Sequence, residues 1–177
     1  MTALDQIKSI VPPPAEPSVA VSDWDQVEGE LGLRLPSDYK GLVADYGAGS
    51  FDEFLLVLQP YEENSNIDLL TQRSVRLDAL RSLSEQGESV PFDLEPGNEE
   101  LLPWGITDNG DVCYWMTEPD KDPDEWTVAV NEERGPHWEQ FDGSVTEFLV
   151  AVFSRTLAVP IFPSDFPSEE SEFEALT

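Results

Sequence analysis

Apolar residues recur with the 3.6-residue period of amphipathic helices in several stretches of the chain. In one of the first stretches Ser22 is the predicted N-cap and Gly32 the predicted stop. Near the C-terminus, Ser144 and Glu147 have the spacing of a capping box ahead of an apolar stripe. The stretches predicted to be helical are 4–11, 22–32, 36–47, a segment around Leu77, and 144–153.

Short apolar runs bounded by turn residues predict β-strands, mainly in the second half of the chain. Asn109-Gly110 separates two such runs, and this dipeptide is the strongest local signal for a hairpin. In the run after the turn, apolar residues occupy both alternating positions, which predicts a central strand covered on both faces. The predicted strands are 54–58, 102–107, 111–117, 126–130 and 137–141. Consecutive hairpin strands with segregated helices predict an α+β fold, an antiparallel sheet packed with N-terminal helices and a closing C-terminal helix.

The two ends of the chain differ in composition from its middle. Residues 12–17 read Pro-Pro-Pro-Ala-Glu-Pro, which is typical of an extended linker. From residue 164 to the C-terminus there are five acidic residues and no basic one, which favours a flexible segment. We therefore predict a short helix and linker in residues 1–18, a folded domain in residues 19–162, and a flexible acidic tail in residues 163–177.

Net charge restricts the partners of this chain. Its 177 residues include 37 Asp and Glu but only nine Lys and Arg, for a formal net charge of −28. Nucleic acids and anionic membranes are bound mainly through Lys and Arg, so we expect neither as a direct partner. The N-terminus lacks the apolar segment of a signal peptide, and no apolar run is long enough to span a bilayer, so we expect a cytoplasmic protein.

Few residues have the pattern of a catalytic centre. His137 is the single histidine, and the chain has no G-x-S-x-G elbow with which it would form a triad. Cys113 lies between apolar residues with no base nearby, which is typical of a buried thiol. Residues 47–52 begin like a dinucleotide fingerprint but have Asp52 in place of its third glycine. We therefore predict no catalytic residue, no cofactor, no metal site and no enzymatic activity.

The acidic segment 118–125 is the first candidate for an interaction surface. It begins with the spacing of a calcium loop, but Glu125 stands where that loop needs glycine. We interpret it as a solvated loop that offers carboxylates to a basic protein beside tryptophans of the strand region. A second candidate pair flanks the Asn109-Gly110 turn. The candidate partner-binding residues are Glu118, Asp120, Asp122, Asp124 and Glu125 in the loop, and Asp108 and Asp111 at the turn. We expect serine substitutions in the loop to weaken binding and to leave folding intact.

Several short motifs occur in an order that resembles a known family. Residues 31–39 read LGLRLPSDY and residues 45–49 read DYGAG. Further along, residues 102–105 read LPWG and residues 144–149 read SVTEFL. In this order and spacing, over about residues 22–158, the chain resembles the SUKH superfamily, which is named in part for the yeast Smi/Knr regulators of cell-wall synthesis.

The resemblance implies an α+β fold around an antiparallel sheet and a binding role without catalytic residues. Bacterial members are typically immunity proteins that bind toxins encoded beside them, often nucleases or nucleic-acid deaminases. The implied partner is a basic toxin domain, since a nuclease surface has to hold phosphates. Two alternatives stay open: a regulatory or scaffolding module, as in the eukaryotic relatives, and an enzyme that uses carboxylates with or without a metal. The resemblance places no toxin-contacting residue, and the oligomeric state is equally open.

Overall fold

A seven-stranded antiparallel sheet is the centre of the fold in this computed structural model, which describes residues 1–133 and 135–176. The strands are β1 Gly49–Phe51, β2 Leu55–Val57, β3 Leu101–Thr107, β4 Val112–Met116, β5 Thr127–Asn131, β6 Trp138–Phe141 and β7 Phe173–Ala175. Their order is β6-β5-β4-β3-β2-β1-β7, so neighbours in sequence are neighbours in the sheet except for β7, which pairs with β1. With the helices, this sheet confirms the predicted α+β class.

The helices begin and end close to the predicted positions. They are α1 Ala3–Ile10, α2 Trp24–Leu31, α3 Ser37–Tyr46, α4 Leu69–Glu85 and α5 Val145–Phe153, with a short 3₁₀ helix at Pro123–Glu125. The predicted capping box of α5 is present, because the Ser144 hydroxyl accepts from the Glu147 amide and the Glu147 carboxylate from the Ser144 amide. The N-cap of α2 is Asp23 instead of Ser22, since α2 begins one residue later than predicted and the Asp23 carboxylate accepts from two amides of its first turn. Within the described residues, no helix combines the length and hydropathy needed to cross a bilayer.

Strand β4 is covered on both faces, as its pattern predicts. Cys113 and Trp115 lie in the larger core, between the sheet and helices α1, α2, α3 and α5. Tyr114 points to the other face and lies in a smaller core with Leu77 and Leu80 of α4. The sheet therefore separates two apolar layers. Because both of its faces are covered around β4, a partner can reach this part of the sheet mainly at its turns and edges.

The N-terminal segment is joined to the domain by buried contacts. Ile7 of α1 is fully buried in the larger core. The Tyr46 hydroxyl, at the end of α3, donates a hydrogen bond to the Val11 carbonyl oxygen at 2.6 Å. The proline-rich stretch that follows Val11 leads to Ser18, which forms an isolated bridge with Gly47.

The acidic tail differs from the flexible segment expected from its composition. It ends in β7, where Phe173 contacts the rings of Tyr46 and Phe51 with centroids 5.0 Å apart in both pairs. The Asp52 carboxylate accepts hydrogen bonds from the tail amides of Ser168 and Glu172 at 2.9 and 2.8 Å. A count of acidic residues obscures the alternation of acidic and apolar positions around Phe173, which suits an edge strand.

Candidate functional site

The two predicted sets of acidic residues lie at opposite ends of β4. The segment 118–125 follows the C-terminal end of β4, whereas the Asn109-Gly110 turn precedes its N-terminal end. The strand has five residues, and a strand rises about 3.3 Å per residue, so about 17 Å separate the two ends. The predicted residues therefore belong to two surfaces, which we call the acidic loop (118–125) and the β3–β4 turn (108–111).

Most carboxylates of the acidic loop have partners within the chain. Glu118 Oε1 lies 3.0 Å from Lys121 Nζ, and Asp122 Oδ1 accepts from the Asp124 amide at 2.9 Å. The Asp124 carboxylate accepts from both the amide and the hydroxyl of Ser37, at 2.5 and 2.8 Å. Asp124 therefore ties the loop to the first turn of α3 across 87 positions of sequence.

Two acids of the loop remain available to a partner. Asp120 and Glu125 are exposed, and neither carboxylate contacts a hydrogen-bond donor or a cation within residues 1–133 and 135–176. Trp126, the tryptophan beside the loop, is buried, and its indole N–H donates to the Glu118 carbonyl oxygen at 3.3 Å. It supports the loop from the core and offers no exposed aromatic ring. The expectation that loop acids can be replaced without affecting folding therefore applies to Asp120 and Glu125 but does not extend to Asp124.

At the β3–β4 turn, only one of the two candidate acids faces solvent. Asp111 is 4% exposed, and its carboxylate accepts from the Thr107 hydroxyl at 2.8 Å and the Glu133 amide at 3.0 Å. These bonds hold the turn and direct the Asp111 carboxylate away from any partner. Asp108 is exposed, and among the described residues its carboxylate has no partner.

The structure places a third acid, Glu53, beside Asp108, which sequence spacing does not indicate. Glu53 lies in the β1–β2 turn, and the Asp108 amide donates to the Phe54 carbonyl oxygen at 2.8 Å. Two hollows meet at this contact, with volumes of about 260 Å³ and about 490 Å³, and Glu53, Phe54 and Asp108 line both. We call the two hollows together the turn groove. Asp52 and Glu53 both have left-handed backbone conformations, with φ of 52° and 53°. Turns of this kind usually contain Asn-Gly, so Asp-Glu at these positions does not predict a turn.

The residue types most used in catalysis lie elsewhere. His137 is exposed, with Nε2 2.6 Å from Glu139 Oε1. Cys113 is fully buried, and burial raises the pKa of its thiol, which keeps it neutral. In the described part of the chain, no three His, Cys, Asp or Glu side chains are arranged to hold a metal ion.

The fold is an α+β domain with a strongly acidic surface, and comparison with known proteins gives its family. The family model SUKH_6, described as SMI1-KNR4 cell-wall, matches residues 22–149. The chain therefore belongs to the SUKH family, which confirms the resemblance found in the sequence motifs. Neither a curated protein nor a solved structure gives a significant match. Membership of this family supports a binding or immunity-type role in general terms.

Proposed function

We propose that this chain is a non-catalytic immunity protein that binds and neutralises a cationic, nuclease-type toxin domain in the cytoplasm. The observation that carries the proposal is the family match over residues 22–149 in a chain of net charge −28. A nuclease holds its substrate with Lys and Arg, so an acidic protein of the right shape competes for the same surface. Neutralisation then needs steric cover and charge complementarity, and no chemical step.

The distribution of ion pairs supports this proposal. Most described Lys and Arg side chains contact acids or carbonyl oxygens of the chain itself; examples are Lys8–Asp45, Lys40–Glu28, Arg81–Glu99, Lys121–Glu118 and Arg155–Pro167. By contrast, the carboxylates of Glu53, Asp108, Asp120 and Glu125 have no partner in the described residues. The unneutralised charge on the surface is therefore negative, and long-range attraction of this kind raises association rates to about 10⁸ M⁻¹s⁻¹ at low salt.

Co-expression with a nuclease-type toxin tests the proposal, and a toxin gene found beside this one would be the first choice. We expect the chain to restore growth and to form a stable complex with the toxin at a ratio near one to one. A catalytically inactive toxin is the control, because it should form the same complex without affecting growth. Failure to protect and to bind contradicts the proposal, and so does protection by far fewer copies of the chain than of the toxin, which indicates turnover.

The family description, SMI1-KNR4 cell-wall, favours a second candidate, a regulatory or scaffolding module. Such a module binds several partners and inhibits none of them. The neighbouring genes separate the two candidates, because an adjacent toxin gene favours immunity, whereas its absence favours scaffolding.

A further inference from the structure

We propose that the outer edge of strand β6 binds a β-strand of the cationic partner, which pairs with β6 in the antiparallel direction and places a basic side chain opposite Glu139. The inference rests on the proposed function for the existence of a cationic partner. It adds the place at which that partner binds and the kind of segment that binds there.

Strand β6 is the last strand of the sheet and pairs on one side only, with β5. The Glu132 amide donates to the His137 carbonyl oxygen at 3.2 Å, which fixes the alternation of this ladder. In an antiparallel pair, every second residue turns its N–H and C=O groups toward the neighbouring strand. Residues 137, 139 and 141 therefore face β5, whereas the backbone groups of Trp138 and Gln140 point away from the sheet. No other part of residues 1–133 and 135–176 bonds to these outward groups, so they can pair with a further strand.

The sequence of β6 does not protect this edge. Proteins keep sheet edges from pairing with very short strands, with proline or lysine, or with a bulge. The four residues of β6 read WEQF, without proline or lysine, and they pair with β5 in one unbroken register. The other edge strand, β7, has only three residues. Of the two edges, β6 is therefore the longer template for an added strand.

Side chains on both faces of the sheet hold β6 in place. On one face the Trp138 ring packs against Phe92 and Tyr114, with centroids 5.0 and 5.7 Å away. On the other face the Phe141 ring packs against Phe148, with centroids 5.6 Å apart. The edge is therefore already ordered before a partner arrives, which reduces the entropy lost on binding.

Glu139 determines which strand fits this edge. In the register that uses the outward groups of both Trp138 and Gln140, a second copy of β6 would put its own Glu139 directly opposite this one. Like charges in such a pair are destabilising, whereas an opposite charge is favourable. His137 contacts only one oxygen of the Glu139 carboxylate, Oε1, so Oε2 stays available among the described residues. Residues 131–142 also contain four acids and one arginine. The edge therefore disfavours a second copy of this chain and favours a basic strand.

A small hollow beside the edge adds an apolar requirement. It has a volume of about 30 Å³ and is lined by Phe141 together with Leu157, Val159 and Pro160. A partner side chain opposite Phe141 points to this face of the sheet, as does one opposite Glu139, because side chains alternate between the two faces. Since the added strand runs antiparallel, its apolar residue comes two positions before its basic residue.

The probe for this pairing is a cyclic β-hairpin peptide in which one strand reads Val-Thr-Arg-Val-Thr and no other residue is charged. Its first valine lies opposite Phe141 and its arginine opposite Glu139. The full ¹⁵N-labelled chain is titrated with this peptide and followed by NMR. We expect the largest amide shifts at Trp138 and Gln140, because their outward N–H groups gain acceptors, and smaller shifts in the rest of residues 137–141.

Two altered hairpins separate strand pairing from attraction by net charge. The first carries N-methyl groups on the two residues opposite Trp138 and Gln140, which removes their donors but keeps the arginine, and it should bind about tenfold more weakly or worse. The second has glutamate in place of arginine and should lose about three- to tenfold. In the chain, E139Q should lose about two- to fivefold for the arginine hairpin. The control E16Q, at an exposed carboxylate with no partner in the described residues, should lose less than about twofold.

Three results overturn the inference: shifts spread over the whole acidic surface, equal affinity for the N-methylated hairpin, or no binding up to about 5 mM hairpin. The proposed function then stands without this site.

Growth protection against a nuclease-type toxin separates the two proposals. Q140P is the variant to express, because proline is tolerated on an edge strand where the N–H points outward, and E139Q is the second variant with a milder change. We expect Q140P to fold and to lose protection. If Q140P protects as well as the wild type, the toxin does not pair with β6. If the wild-type chain binds the hairpin at β6 but gives no protection, the immunity function is wrong and the strand site remains.

Discussion

The contact between Asp38 and Thr146 gives a quantitative test of how acidic residues hold this fold together. Asp38, in the first turn of α3, accepts from the amide and the hydroxyl of Thr146, at 3.0 and 2.8 Å. Thr146 is 2% exposed and lies in the first turn of α5, where amides have no partner inside the helix. Replacing Asp38 by alanine therefore leaves two donors at the start of α5 without their acceptor.

The magnitude follows from these two bonds. Loss of a side-chain acceptor at a helix N-terminus costs about 1 kcal/mol. A buried hydroxyl left without a partner costs about 1–3 kcal/mol, and the Thr146 hydroxyl loses less than the top of this range because it keeps a long contact with Ser144 Oγ, at 3.4 Å. We expect D38A to lower the free energy of unfolding by about 2–3 kcal/mol, which in a domain of this size is a fall of about 5–10 °C in Tm.

Urea denaturation of D38A, T146V and the double variant measures this contact as a thermodynamic cycle. We expect D38A and T146V to be non-additive by about 1 kcal/mol, because each removes the hydroxyl–carboxylate bond that the other also removes. If D38A unfolds within about 0.5 kcal/mol of the wild type, or if the two changes are additive, the carboxylate does not stabilise α5 as described.

Three further changes test other parts of the account. Gly49→Ala should release β7, because its Cβ would meet the Glu174 carbonyl oxygen, and hydrogen exchange at residues 173–176 should rise; unchanged protection there would show that the tail does not depend on this close approach. Gly29→Ala, in α2 with open space around the added Cβ, is its control and should stabilise the protein by about 0.5–1 kcal/mol. Burial raises the pKa of Glu28, but hydrogen bonds from the Leu35 amide and the Lys40 ammonium outweigh it, so the net effect is a lowered pKa. Glu28 therefore stabilises the fold at pH values above the ordinary Glu pKa of about 4.3, and this stabilisation is lost as the pH falls through the lowered pKa. E28Q should therefore be less stable than the wild type at pH 7, and a gap that stays constant down to about pH 3 would contradict this assignment. Finally, Tm should rise with NaCl, since salt screens the repulsion of a chain of charge −28; a Tm independent of salt would show that this repulsion has no effect on stability.

Local chemistry made much of the fold predictable. The capping box at Ser144, the hairpin at Asn109-Gly110 and the two-sided pattern of β4 are each set by residues within one turn or one strand of each other. Such signals depend on hydrogen bonds and side-chain faces that the neighbouring residues determine on their own. The SUKH motifs added the family, which the family match over residues 22–149 confirms.

The parts that escaped prediction depend on contacts between distant residues. Strands β1 and β7 have three residues each, too short to stand out in the sequence, and they pair only in the folded sheet. The tie between Asp124 and Ser37 spans 87 positions, so nothing in the acidic loop itself shows that one of its carboxylates belongs to α3. The turn groove has the same origin, because strand order alone brings Glu53 next to Asp108.

The most direct test of the central claim, that an acidic face captures a cationic protein, is the association rate with a nuclease-type toxin domain that the chain protects against, measured as a function of NaCl. We expect the rate constant to fall by at least about tenfold between low salt and about 0.5 M, while the dissociation rate changes little, because screening acts mainly on the encounter of the two charged surfaces. An association rate that is indifferent to salt would contradict the claim, and binding would then have to be explained without the charge of this chain.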